Sequence, residues 1–209
     1  SLPASRQRWC ELSAATIIVS SWMLLITVGP AQAAVHWDRY RLALVNRSQL
    51  GHKQLADASR APSRDLERQQ EALTAEMILE LTQVVKWDPC FGRGHVRLAR
   101  RYLEQFELRQ KYADNAMSVS QVRDAAIASQ FKSPAALREW LERAVGQNAN
   151  LLYQAHTHAL SSARICPLEG KAFLTLADLC FLEGRRRNAI GGFGQQSQRV
   201  GPYDGDVLF

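Results

Sequence analysis

Apolar residues recur at helical spacing over much of the chain from residue 64 onward. The clearest case lies in residues 64–86, where apolar side chains three or four positions apart would share one face of a helix. They are Leu73, Met77, Leu81 and Val84 or Val85. Asp88-Pro89 is predicted to end this helix, because proline disfavours helical backbone at the residue before it. Another helix is predicted from about residue 92 to 106.

Capping signals predict further helices downstream. Ser118 or Ser120 can cap a helix that runs to about residue 130. Ser133-Pro134 combines a capping serine with proline at the first helical position, which is typical of a helix start. Residues 149–165 are predicted to form the antiparallel partner of that helix. Four of its residues should face inward: Leu152, Ala155, Ala159 and Ala163.

An apolar segment, residues 12–35, carries no Asp, Glu, Lys or Arg. As a helix it is long enough to cross a hydrocarbon layer about 30 Å thick, which predicts a transmembrane helix. A cleaved signal peptide is the alternative, with Arg6 and Arg8 as its basic end and Ala31-Gln32-Ala33 as its cleavage site. Both interpretations place the rest of the chain outside the cytoplasm, in the periplasm or the extracellular space.

The remaining chain divides into three parts around this segment. Residues 1–11 form an N-terminal flank, residues 36–63 a polar connector, and residues 64–209 a helical domain. Within the connector, His36-Trp37 and Tyr40 carry amphipathic rings of the kind that favour the headgroup layer of a membrane.

A proline precedes successive apolar stretches of the helical domain. Pro167 and Pro202 each begin a similar run, with a period of about 35 residues, and Pro89 begins a looser copy. Each of these prolines is predicted to terminate a helix. A period of this length is typical of paired-helix repeats, which bind other molecules more often than they transform them.

This frame resembles a tetratricopeptide repeat (TPR), most clearly over residues 170–201, with a further repeat truncated at Phe209. The resemblance implies an all-α fold: an α-solenoid of TPR-like helical hairpins after the transmembrane or signal helix. It also implies a protein or peptide ligand on the repeat surface. The residues that match the packing positions of the repeat are Phe173, Leu176, Ala177, Gly184, Ala189, Ile190 and Phe193.

No catalytic motif accompanies this pattern, so we expect no catalytic, cofactor-binding or metal-binding residue. His156 and His158 lie two apart on a predicted helix and point to different faces, which makes them a poor metal pair. His95 is expected to occupy a packing position. The four cysteines lack zinc-finger spacing and are expected to be free thiols.

The net charge of +6 comes from scattered arginines, without a nucleic-acid-binding motif, which argues against a DNA or RNA partner. An anionic envelope glycan remains a candidate partner.

Two functions follow as hypotheses. The first is a membrane-anchored, extracytoplasmic TPR-type interaction scaffold without catalysis of its own. The second rests on the layout of apolar helix, His-Trp-x-x-Tyr connector and repeats, which resembles the carboxyl-terminal part of bacterial O-antigen ligase or polymerase family proteins. That resemblance implies a membrane glycan transferase whose catalytic part lies upstream of this chain. The absence of an initial methionine and the end within a repeat indicate a piece of a longer polypeptide.

Overall fold

The structure, a computed structural model, describes residues 27–52, 64–113 and 115–183. Every regular element in these ranges is helical, so the predicted all-α class is confirmed for the described part of the chain. The α-helices are α1 (27–52), α2 (Arg64–Trp87), α3 (Gly92–Gln110), α4 (Val119–Ser129), α5 (Pro134–Val145), α6 (Ala149–Ile165) and α7 (Gly170–Asp178). Two short 3-10 helices span Gly146–Asn148 and Cys180–Glu183.

Local chemistry explains several of these boundaries. The Ser118 side chain accepts from the backbone N–H of Gln121, whose own side chain accepts from Ser118 N–H, so α4 begins with a complete capping box. Ser133 caps α5 with Pro134 as its first residue. Gly146 then adopts a positive φ of 59°, which favours glycine. The start of α5 and one of the two predicted caps of α4 are therefore confirmed.

The most extensive contact among α2 to α7 joins α3 to α6. The two helices run antiparallel, with the first residue of α3, Gly92, against the last turn of α6. The Ser162 hydroxyl donates to the Gly92 carbonyl at 3.0 Å, and Ala99 and Ala159 are both fully buried between the helices. Small side chains let the backbones approach closely here. The expected partner of α6 was α5, but its main partner is α3.

Helix α1 covers one side of the α2–α3 hairpin. It runs antiparallel to α2, since Gly29 lies against the Trp87 carbonyl and, further along α1, Nδ1 of His36 lies 2.6 Å from the carboxylate of Glu80. Tyr40 is fully buried among residues of all three helices, together with Met77 and Leu98. The predicted connector is thus helical over its described residues, 36–52, and Tyr40 lies in the core rather than on a surface.

Helices α4 and α5 close the opposite end of the domain. Their apolar residues pack on Phe106 of α3 and Leu152 of α6, and Phe181 of the second 3-10 helix joins the same cluster. Helix α7 lies across α3 and α6, where Phe173 and Leu176 contact Ala99 and Ala159. The described helices therefore all rest, directly or through one neighbour, on the α3–α6 pair.

The predicted membrane segment is described only in part. Residues 12–26 lie outside the described ranges, and residues 27–35 form the beginning of α1. Ala33 is buried there, and a side chain on Gly29 would lie close to the Trp87 carbonyl at the end of α2. Within the described ranges, no helix has the length and apolarity needed to cross a bilayer.

Replacing Gly94 by alanine is expected to lower the stability of the domain. The new methyl group would lie 2.8 Å from Cδ1 of Phe91, which is closer than carbon atoms pack, and 3.3 Å from Cγ1 of Val85, which is a tight contact. Overpacking costs about 1–3 kcal/mol, and alanine gains roughly 1 kcal/mol over glycine in a helix. We expect a net loss of up to about 2 kcal/mol in urea unfolding followed by circular dichroism.

Gly51→Ala on α1 is the matched control, because nothing lies within 4 Å of the added atom. That variant should be as stable as the wild type or slightly more so. A Gly94→Ala variant that gains as much stability as the Gly51→Ala control would contradict the close approach of α2 and α3.

Candidate functional site

The residues predicted from the repeat pattern fall into two groups. Phe173 and Leu176 are buried on α7, and Ala177 beside them is half-buried. Pro89 and Pro167 lie directly after the ends of α2 and α6. The others lie outside the described residues: Gly184, Ala189, Ile190, Phe193 and Pro202.

A group of charged side chains lies on the side of α3 that faces away from α6. Six charged side chains follow one another there at spacings of one to four residues, which places them along one broad face. They are Arg97, Arg100, Arg101, Glu104, Glu107 and Lys111. This charged face of α3 adjoins α1 on one side and the start of α4 on the other.

An arginine cluster, formed by Arg47 of α1 with Arg97, Arg100 and Arg101 of α3, occupies the α1 side of this face. Arg47 and Arg101 both form ion pairs with Glu104, one with each carboxylate oxygen. The three side chains are 17–27% exposed, so the pairs are partly screened from water. Nε of Arg101 is buried and has no hydrogen-bond partner in the described part of the chain.

Burial lowers the pKa of both arginines that share Glu104. For Arg47 the neighbouring Arg101 lowers the pKa further. For Arg101 the effect of burial is opposed by Tyr40, while Arg100 and Arg97 add to the lowering. The guanidinium groups therefore repel one another, and both remain charged at neutral pH because the ordinary pKa of arginine lies far above neutrality.

Two aromatic rings of α1 hold Arg97 in place. Its guanidinium lies 5.4 Å from the centre of the Trp37 ring and 5.8 Å from that of Tyr40, a cation–π arrangement. It also donates to the Tyr40 hydroxyl at 3.3 Å. The buried Tyr40 thus connects the core to the charged face.

A cavity of about 410 Å³ opens at the α4 side of the same face. We call it the α3–α4 cavity. Its lining includes Glu104, Glu107, Leu108, Lys111, Ala116 and Met117. Glu107 accepts from the Val119 N–H at 2.8 Å, which fixes the start of α4 against α3. Glu104 thus lines the cavity and also pairs with two arginines of the cluster.

Two histidines meet inside the α3–α6 interface. Nδ1 of His95 lies 3.0 Å from Nδ1 of His158, within hydrogen-bond distance, and the two ring centres are 5.3 Å apart. Because the Pro89 carbonyl can only accept, Nε2 of His95 carries its proton at 3.1 Å. In the neutral pair, His158 therefore donates to His95.

Burial, the larger cause, and the neighbouring His95 together lower the pKa of His158 to about 4. His156 points elsewhere, with Nε2 lying 3.5 Å from the Glu183 carboxylate. The predicted packing role of His95 is confirmed, since it is buried. In the described ranges no group of three or more His, Cys, Asp or Glu side chains could hold a metal ion.

Sequence reasoning missed the arginine cluster. It treated the arginines as scattered, and nothing local connects Arg47 to Glu104. The spacing of Arg97, Arg101 and Glu104 on one helix face was the available signal.

Comparisons with known proteins give no relationship: no family model, no curated protein and no solved structure matches this chain. The resemblances to TPR proteins and to O-antigen ligases therefore rest on the residues and layout quoted from the sequence.

Glu104→Gln is expected to destabilise the domain by about 1–3 kcal/mol, because two half-buried guanidinium groups would lose their shared carboxylate. Glu139→Gln is the control, since Glu139 forms an exposed ion pair with Arg143. Such a pair contributes about 0.5 kcal/mol or less. Urea midpoints measure both, and equal losses would contradict a special role for the Glu104 pairs.

Acidification should destabilise the domain through His158. Its pKa is lower in the folded state than the usual value of 6.5, so the unfolded chain binds the proton more tightly between about pH 6.5 and 4. Stability present at pH 7 should fall as the pH is lowered, by about 1 kcal/mol at pH 5 after allowance for solvent screening.

His158→Asn keeps a donor near His95 but does not titrate. This variant should lose less stability than the wild type between pH 7 and 5 in urea unfolding. An identical pH dependence would show that His158 does not sense the proton.

Proposed function

We propose that this chain is an interaction scaffold that binds a segment of a protein partner in the α3–α4 cavity. The observation that supports it most directly is the composition of that cavity. About 410 Å³ of open volume is lined by Glu104, Glu107 and Lys111 beside the apolar side chains of Leu108 and Met117. Apolar contact supplies affinity in such sites, and a few fixed charges supply orientation.

The charged groups of the cavity are held in place before a ligand arrives. Glu107 is fixed by the Val119 N–H, and Lys111 lies 2.6 Å from the Glu67 carboxylate on α2. Preorganised side chains lose little entropy on binding, which favours recognition. Because Glu107 and Lys111 are engaged in these structural contacts, they suit a binding role better than a role in proton transfer.

The finer parts of the proposal concern architecture and location. We propose that the antiparallel helices belong to a TPR-like α-solenoid that continues through residues 184–209, since the match to the repeat is clearest over residues 170–201. We also propose that residues 12–35 attach the chain to a membrane, with the helical domain outside the cytoplasm. The uncharged composition of that segment supports this placement.

Site-specific photo-crosslinking tests the scaffold function in the full chain. A benzoylphenylalanine residue in place of Ala116, which lines the cavity, should give a discrete adduct with a protein partner in cells. The same residue in place of Leu79, which is exposed on α2, should give none. A Lys111→Glu substitution should reduce the cavity adduct several-fold, while Lys132→Glu on an exposed turn should leave it unchanged.

An adduct that is equal at both positions, or no discrete adduct from the cavity, would refute this function. Identifying the adduct by mass spectrometry names the partner.

A further inference from the structure

The arginine cluster carries more positive charge than its surroundings neutralise. Arg47 and Arg101 share the single carboxylate of Glu104. Arg100 is exposed beside Arg101, and the described residues give it no ion pair. Leaving Arg97 and its own contacts aside, two guanidinium groups share one carboxylate, and a third lies close enough to act on the charge of Arg101.

This arrangement is costly unless a further anion approaches. Partly buried charges lose hydration, and only nearby opposite charge offsets that loss. Here burial and mutual repulsion both act on Arg47 and Arg101, as the lowered pKa values of the two groups show. Arginine is over-represented where a carboxylate or a phosphate is bound by paired N–H donors.

We propose that Arg47, Arg100 and Arg101 form a binding site for a phosphate group. Guanidinium groups present planar forks of N–H donors that match the oxygens of phosphate. The three groups together offer more donors than the two oxygens of a carboxylate can accept. A phosphate monoester carries about −1.5 to −2 charge at neutral pH. This charge matches the positive charge that the three arginines keep after Glu104 has neutralised one of them.

Access and rigidity fit this role. Arg100 is exposed, and the side chains of Arg47 and Arg101 keep 27% and 17% of their surface in contact with solvent, so a ligand reaches the site without unfolding the domain. Neighbouring contacts hold the frame: Arg97 lies against Trp37 and Tyr40, and Glu104 orients both of the arginines that it contacts.

The phosphate can come from a free small molecule or from a lipid headgroup. Arg47 lies on α1, and the apolar segment 12–35 runs into the beginning of that helix. Basic pockets next to membrane segments bind headgroups of anionic lipids. The site goes beyond the proposed scaffold function, because none of these three arginines lines the α3–α4 cavity.

Thermal unfolding of the full chain tests the proposal in two settings. In detergent, inorganic phosphate is compared with chloride at equal ionic strength. At about ten times the dissociation constant, phosphate should raise the midpoint by about 3–5 °C. In nanodiscs, phosphatidylcholine alone is compared with phosphatidylcholine containing phosphatidic acid.

Arg100→Gln and Arg101→Gln should each reduce the phosphate-dependent shift at least several-fold. Arg100 is exposed, so its variant keeps the fold even if the Arg101 variant does not. Arg143→Gln on α5 removes the same charge from an exposed ion pair and should keep the full shift.

Each outcome decides a point. A shift with inorganic phosphate shows that the free anion suffices, and a shift only with phosphatidic acid assigns the site to a lipid headgroup. No shift in either setting, or a shift that Arg100→Gln and Arg143→Gln change equally, overturns the proposal. Photo-crosslinking from the cavity is independent of these results, so failure of the scaffold function would be seen separately.

Discussion

The close antiparallel contact of α3 with α6 is the constraint on which the rest of the described structure depends. It requires small side chains along the interface. Gly92 lies against the end of α6, and Ala99 and Ala159 are buried together further along the two helices. Because the two backbones lie close together, one face of α3 is fully used. The other helices then pack around this pair: Leu98 of α3 joins the core cluster with α1 and α2, and Phe106 of α3 joins the cluster with α4 and α5. The charged residues of α3 lie on its remaining side.

That division of α3 explains why its polar chemistry is gathered in one place. Its apolar and small residues belong to the core clusters formed with the neighbouring helices, whereas its arginines and glutamates line the side that α1 and α4 cover only in part. Glu104 lies at the junction, since it pairs with two arginines and also lines the α3–α4 cavity. One carboxylate therefore links the two surfaces to which we assign binding functions. Both surfaces depend on α3, which α6 holds in place on its opposite side.

Much of the secondary structure was predictable from local signals, because those signals act within a few residues. Ser118 and Ser133 satisfy the free N–H groups at helix starts wherever the chain goes next. Proline at positions 89 and 167 follows helices for an equally local reason. The partner of α6 was not predictable in this way. Adjacent helices were expected to pair, yet α6 packs on α3, because the stripe of small residues on α6 fits Gly92 and Ala99 better than the larger side chains of α5.

The sequence by itself determined the all-α class, most helix boundaries and the buried position of His95, since spacing and capping are properties of short segments. Only the tertiary structure decided that Tyr40 belongs to the core and that Arg47 meets Glu104 across 57 positions of chain. It also brought His95 and His158 together. Contacts between residues so far apart depend on which helix faces approach each other, and that choice is made by the packing of the whole domain rather than by any local pattern.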